Sequence, residues 1–337
     1  MCQKTEKIDG VSLFLFTFAY YLHGLMKKSY RELLTDSFKS NDTEEWLDVY
    51  FTRPIGLALA LVAARIGATP NMITVLGILL GACGGWLFHY TDLWHNVCGV
   101  LLLMMANFCD SADGQLARLT QQKTLVGRIL DGLASDVWFV FIYVSIVVRL
   151  WHEPMPFIGI EWGIWGFLLC SLAGFICHAT QCNLADYYRQ IHLWFVRGEA
   201  DSELASSAKE RALAQQLKAA GKVWEGLFHE VYGGYCRKQE RQTPRFQAFF
   251  TMLLAHYPSS AMVPETLRTA FREGSLPLMK YTNILTHNTR AFILFVSVLI
   301  NIPYLYPLFE IGVLQPLYGY MRYRHEQLSE QLKQMMI

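Results

Sequence analysis

Between Asn107 and Val140 the sequence reads NFCDSADGQLARLTQQKTLVGRILDGLASDVWFV, and four aspartates fall in or beside stretches that are otherwise apolar. Asp110 and Asp113 are three residues apart, which on a helix puts both carboxylates on one face. Gly114 and Ala117 lack bulk, so a ligand can come close to the backbone beside them. Arg118 adds a planar cationic fork suited to phosphate. After a short basic turn come Gly127, Asp131 and Asp136. An aspartate at the centre of a membrane helix costs about 2.5 to 3.5 kcal/mol on insertion scales, so a group of four needs compensation. Divalent cations supply it, because hard ions such as Mg²⁺ take carboxylate oxygens and bridge to substrate phosphates. For Asp110 and Asp113 alone, a solvated polar helix end is the competing reading. An EF-hand loop is excluded, since its third position would be Ala112 and its twelfth Gln121.

The elements that must carry these residues are membrane helices. Of 337 residues, 53% are hydrophobic and 17% charged, which is too apolar for an ordinary soluble domain. The net charge of +1 excludes the concentrated basic surface of a nucleic-acid binder. Eight cysteines form no CxxC pair and lie mostly in apolar runs, as small buried hydrophobes do. Apolar runs near 72–91, 95–117, 127–151 and 160–182 approach the ~20 residues that cross a bilayer. A longer run over 291–321 holds Pro303, Pro307 and a lone Glu310, and dividing it near 303–307 gives about six spans. Basic residues, among them Lys27, Lys28, Arg118, Lys123, Arg128, Arg189, Arg290 and Arg322, fall on one side and leave Arg149 on the other. By the positive-inside rule both termini are cytoplasmic.

Ahead of the first span, Trp46–Gly67 reads as an amphipathic helix at the membrane surface, ended by Gly67 and Pro70. A short soluble helix is its alternative. Val11–Met26 is apolar and precedes a basic pair; it reads as an extra anchor or as sequence upstream of a start at Met26. Residues 190–288 are polar and longer than a usual connection. The expected organisation is an N-terminal extension (1–45), a catalytic membrane region (46–189), a cytoplasmic helical insertion (190–288) and C-terminal spans with a tail (289–337). The insertion's role is open between a lid and a partner surface, and its Trp224, Phe228, Tyr232 and Tyr235 share one helix face. No internal repeat supports an inverted-repeat transporter.

The run Asp110, Asp113, Gly114, Ala117, Arg118, eight residues, Gly127, three residues, Asp131 resembles the signature of the CDP-alcohol phosphotransferase family. Pro70, Asn71 and Thr74 at the start of the first span, with Arg53 and Pro54 before it, are similar to that family too, so the resemblance covers roughly 44–185. It implies an all-α polytopic helical bundle with an interfacial N-terminal helix, in a bacterial-type inner membrane, with the active site cytoplasmic. It implies two Mg²⁺ (or Mn²⁺) ions on Asp110, Asp113, Asp131 and Asp136, and a CDP group near Gly114, Ala117, Arg118 and Gly127. It also implies a homodimer. The reaction so implied moves a substituted phosphate from a CDP-linked donor to an alcohol with release of CMP, in phospholipid biosynthesis. The expected pairing is a CDP-lipid with a polyol or polyol-phosphate acceptor; transfer of a CDP-linked head group to a lipid alcohol is the alternative.

The fourth aspartate departs from the family pattern, which places it at Ser135. Five residues turn about 500° on an ideal helix, so Asp136 points about 140° away from Asp131. A π-bulge between them, eased by Gly132, would restore the facing and let Asp136 act as general base. For the acceptor, Arg189, Lys280, Arg290, His287 and Asn288 are candidates, with simple positive-inside anchoring as the alternative. His178, Asn183 and Asp186 read either as cavity groups or as a capped helix end. A prenyltransferase would show a second aspartate motif, and 291–321 holds no aspartate. A non-catalytic lipid-binding or transport protein is the remaining reading, and it draws on the displaced Asp136.

Overall fold

The structure is a computed structural model that describes residues 29–36, 42–122 and 124–336. The segment Val11–Met26 lies outside the described residues. The described chain is all-α, and its one extended pairing is an isolated antiparallel bridge between Pro154 and Glu161. Short α1 (Tyr30–Asp36) and a π turn (Asp48–Thr52) lead into α2 (Arg53–Arg65). Three long helices follow, α3 (Pro70–Trp86), α4 (Leu93–Leu119) and α5 (Leu125–Leu150).

Each long helix starts where the sequence can satisfy its first free N–H groups. Thr69 Oγ1 accepts from Met72 N at 3.4 Å, and Pro70 occupies the first turn, where no N–H is missed. Asp92 Oδ1 accepts from His95 N at 3.1 Å, and Thr124 Oγ1 from Gly127 N at 3.0 Å. The fourth long element is α6 (Gly163–Ser171), a π segment (Leu172–His178) and α7 (Ala179–Arg197) in unbroken succession.

Four helices among the described residues are long and apolar enough to cross a membrane: Pro70–His89, Leu93–Leu119, Val126–Leu150 and Gly163–Arg197. The expectation of six is therefore not met by length and composition. The run 291–321 forms α12 (His287–Leu299), a turn through Asn301 at φ 63°, then α13 (Leu305–Phe309), a π segment (Glu310–Leu314) and α14 (Gln315–Gln334). Its break falls beside Pro303, close to where the prolines predict it. At 13 residues, α12 spans only about 20 Å. Between α7 and α12 lie α8 (Ser207–Ala219), α9 (Val223–Gln242), α10 (Pro244–His256) and α11 (Glu265–Ile284).

The chain divides into two compact units, and the boundary runs through α3, α4 and α5. The first takes in 46–81 and 103–135 with α1. Its core is built from small side chains: Ala60, Ala63, Ala64, Ala68, Ala112 and Leu116. These let α2 and α4 approach until a Cβ on Gly56 would meet Ser111 Oγ at 2.5 Å. Gln115 Nε2 ties the two helices by donating to Arg53 O at 3.0 Å.

The second unit takes in 82–102 and the described chain from Asp136 onward, with 42–45. Its core surrounds α7, whose Tyr188, Ile191, Trp194 and Phe195 pack among Phe246, Phe249, Phe271 and Met321. Phe195 and Phe271 stack with centroids 3.9 Å apart. Each such ring contributes about 1.5 to 3 kcal/mol through burial. Glu326 of α14 accepts from Arg245 N at 2.7 Å and Phe246 N at 3.3 Å, which places a carboxylate at the N-terminus of α10.

Candidate active site

In the first unit, the C-terminal half of α4 carries Asp110, Asp113, Gly114, Ala117 and Arg118 within three turns. Asp113 is 3% exposed. Thr74 of α3 donates its hydroxyl to Asp113 Oδ2 at 2.5 Å and also reaches Pro70 O at 3.1 Å. That bond fixes the orientation of the Asp113 carboxylate. Ser111 and Gln115 face α2, while Asp110, Gly114, Ala117 and Arg118 are half-buried. A Cβ on Gly114 would meet only the Arg118 guanidinium, at 3.6 and 4.0 Å, so Arg118 lies back across the glycine.

On α5, Asp131 is exposed and lies within electrostatic range of Asp113, as does Arg118. Gly127 is needed for a different reason from ligand access: its Cβ would sit 3.0 Å from Asn71 Oδ1 and 3.1 Å from Thr124 Oγ1. It lets the start of α5 pass the start of α3. Among the described residues, no three His, Cys, Asp or Glu side chains converge as a ready-made metal cage. The donors fit a different kind of site. Mg²⁺ keeps waters and is commonly held by one or two carboxylates together with substrate phosphates, so two or three aspartate oxygens and an open substrate side suffice.

The expected π-bulge is absent. Helix α5 is α-helical throughout Leu125–Leu150, while π segments occur at Asp48–Thr52, Leu172–His178 and Glu310–Leu314. Turning Asp136 toward the face of Asp131 takes a widened turn that this helix lacks. Asp136 belongs to the second unit, where the charges acting on it are His178 and Lys238.

The acceptor candidates fare unevenly. Arg290 is fully buried and ion-paired with Glu310, which is also fully buried. The Arg290 guanidinium further donates to Gln181 Oε1 at 2.7 Å and to Leu285 O at 3.1 Å. Its hydrogen-bonding capacity is used by the protein, so it is a fastening rather than a phosphate anchor. His178 Nδ1 joins the same node, 3.1 Å from Arg290 and 3.4 Å from Glu310, and Tyr306 donates to Glu310 at 2.6 Å. His287 stands edge-on to Trp138 and Phe139 at 5.8 and 6.0 Å. Arg189 donates to Asn283 Oδ1 at 3.2 Å, Asn288 to Glu45 at 2.9 Å, and Lys280 stays exposed over the Tyr281 ring. Asn183 and Asp186 are not at a helix end, because α7 runs on to Arg197 and both side chains bind α9. Sequence reasoning left Glu310 without a partner. The signal was a carboxylate alone in an apolar run with an arginine twenty positions earlier.

Residues 67–197 match the family model described as CDP-alcohol phosphatidyltransferase. An archaetidylinositol phosphate synthase of Pyrococcus horikoshii is 32% identical over 68 residues, which are 20% of this chain and 35% of that protein. An uncharacterized protein of Aquifex aeolicus is 34% identical over 67 residues, 20% of this chain and 33% of that protein. The matched stretch thus spans about a third of the length of either curated relative.

Proposed function

We propose that this chain, whose residues 67–197 match the family model described as CDP-alcohol phosphatidyltransferase, is an integral membrane transferase of phospholipid synthesis, moving a substituted phosphate from a CDP-linked donor to an alcohol. The observation that carries this reading is Asp113, a carboxylate 3% exposed inside a membrane span, braced by Thr74 and within electrostatic range of Asp131. A carboxylate buried inside a span with a second one in electrostatic range calls for a cation, and the donor's diphosphate completes what two or three aspartates begin.

Asp110, Asp113 and Asp131 would hold Mg²⁺ or Mn²⁺, two ions in all, which would neutralise charge developing on the diphosphate. Gly114 and Ala117 give the donor's CDP group room beside α4, and Arg118 pairs with a phosphate. The acceptor hydroxyl oxygen attacks the β-phosphorus as the bond from that phosphorus to the bridging oxygen breaks. The electron pair of that bond leaves on CMP. The hydroxyl proton needs a base, and Asp136, expected in that role, can take it only where α5 widens between Asp131 and Asp136, a turn that this α-helix lacks.

The favoured substrates are a CDP-activated lipid and a polyol phosphate, which the name of the Pyrococcus relative supports by denoting an inositol phosphate lipid. Homodimer formation and a cytoplasmic active site belong to the same reading. The test is CMP release by purified protein with Mg²⁺. CDP-diacylglycerol and, separately, CDP-choline or CDP-ethanolamine are offered against inositol phosphate, glycerol phosphate and diacylglycerol. Acceptor-dependent CMP that disappears in Asp131→Asn is expected. Absence of CMP with every pair, in protein that remains folded, overturns the reading in favour of a non-catalytic lipid-binding protein.

A further inference from the structure

Helix α9 presents two unlike faces. Gly226, Gly233 and Cys236 are buried on one side. On the other, Trp224, Leu227, Val231 and Tyr235 recur at intervals of three or four and are 75%, 41%, 56% and 38% exposed. They form one stripe about 16 Å long. Beyond it Lys238 continues the same face and Arg241 flanks it, both exposed, whereas the nearby Glu240 is turned inward and accepts from Ser207 N at 2.8 Å. An exposed aromatic and aliphatic stripe running into a basic cluster is the pattern of a helix lying in a lipid interface.

The same unit shows at what level the stripe lies. Along Gly163–Arg197, exposed apolar side chains are Ile164, Trp165, Phe167, Leu168, Leu172, Phe175 and Ile176. From Gln181 to Phe195 no side chain of that helix is exposed. Twenty residues beyond Gly163, about 30 Å and so one hydrocarbon thickness, is Asn183. There α9 takes hold: Gln239 donates to Asn183 O at 3.2 Å, Gln242 to Asn183 Oδ1 at 3.2 Å, and the Tyr235 hydroxyl to Asp186 at 3.3 Å. The Tyr235 end of the stripe therefore lies just past the level where the lipid-facing belt of the span ends.

We infer that the Trp224–Tyr235 stripe of α9 rests on the surface of the bilayer in which the same chain is embedded, with Lys238 and Arg241 against anionic head groups. The occupant is the lipid surface and not a second copy of the chain, because the Tyr235 end of the stripe lies just past a lipid-facing belt and the adjoining charges are basic. The inference concerns residues 223–242 alone and stands whether or not the chain releases CMP.

The test is a full-length Trp224→Cys chain labelled with an environment-sensitive fluorophore and reconstituted in phosphatidylcholine liposomes with and without phosphatidylglycerol. Lys209→Cys on exposed α8 serves as control, and the unsubstituted chain, labelled alike, removes the signal of Cys83. The expected result is a blue-shifted emission at position 224 that is lost to a spin label carried on the lipid chains and protected from aqueous iodide. Neither should hold at position 209. The blue shift should grow with phosphatidylglycerol and shrink in Lys238→Gln/Arg241→Gln. Full access to iodide with no effect of the lipid quencher overturns the inference. Protection from both quenchers that fades as protein is diluted in lipid also overturns it, and assigns the stripe to a second copy.

Discussion

Replacing Thr74 by valine keeps the shape and β-branching of the side chain and removes only the hydroxyl that donates to Asp113 Oδ2. Helix propensity is nearly unchanged, and the pocket volume is conserved. The loss is one hydrogen bond to a charged acceptor, about 1.5 to 3 kcal/mol. At about 1.36 kcal/mol per decade, this corresponds to a fall of about 10- to 150-fold in kcat/KM. Because the bond orients a carboxylate placed to hold an ion, the loss should reappear as a higher Mg²⁺ requirement. The assay is initial-rate CMP release at graded Mg²⁺, with the thermal transition of the detergent-solubilised protein measured in parallel. Thr74→Ser, which keeps the hydroxyl, should stay near the parent. The reasoning is refuted if Thr74→Val retains kcat/KM and the Mg²⁺ dependence within about twofold.

Two further substitutions test the packing that frames the site. Gly56→Ala places a Cβ 2.5 Å from Ser111 Oγ and 2.7 Å from Ser111 Cβ, an overpacking cost of about 1 to 3 kcal/mol that outweighs the ~1 kcal/mol gained in helix propensity. A lowered thermal transition is expected in the single variant, with partial recovery in Gly56→Ala/Ser111→Gly, because Gln115 Nε2 would still lie 2.8 Å from the new Cβ. Glu310→Gln leaves the buried Arg290 charge unpaired and should cost about 3 to 5 kcal/mol, whereas Arg290→Met/Glu310→Met should recover much of that; denaturant unfolding of the second unit's tryptophans reads both.

The sequence makes the first four apolar helices plain, with starts within a few residues of those observed, because Thr69, Asp92 and Thr124 mark their N-termini. The fourth was expected to end near 182 and instead reaches Arg197. Its second half is polar by composition and buried by residues from α9 to α14, which no local pattern announces. The aspartate cluster is legible because carboxylates in apolar helices are costly enough to need a purpose. Thr74 was visible only as a residue opening a span. That its hydroxyl meets Asp113 is a pairing across 39 positions, and spacing along one helix carries no trace of it. Likewise, Arg290 looked like a surface anchor until Glu310 was found opposite it.

The node at His178 also sets a timetable. Its partner Glu310 lies 132 positions later in the chain. A ribosome adding about 5 to 20 residues per second delivers that partner roughly 7 to 26 seconds after His178. Throughout this interval His178 and Gln181 have emerged without Glu310, whereas Asn183 waits only for Gln239 and Gln242, 56 and 59 positions on. The domain bearing the aspartates is thus synthesised well before the segment that completes its fourth helix. A chain arrested or clipped before Glu310 would present His178 and Gln181 to the insertion machinery and to quality-control proteases.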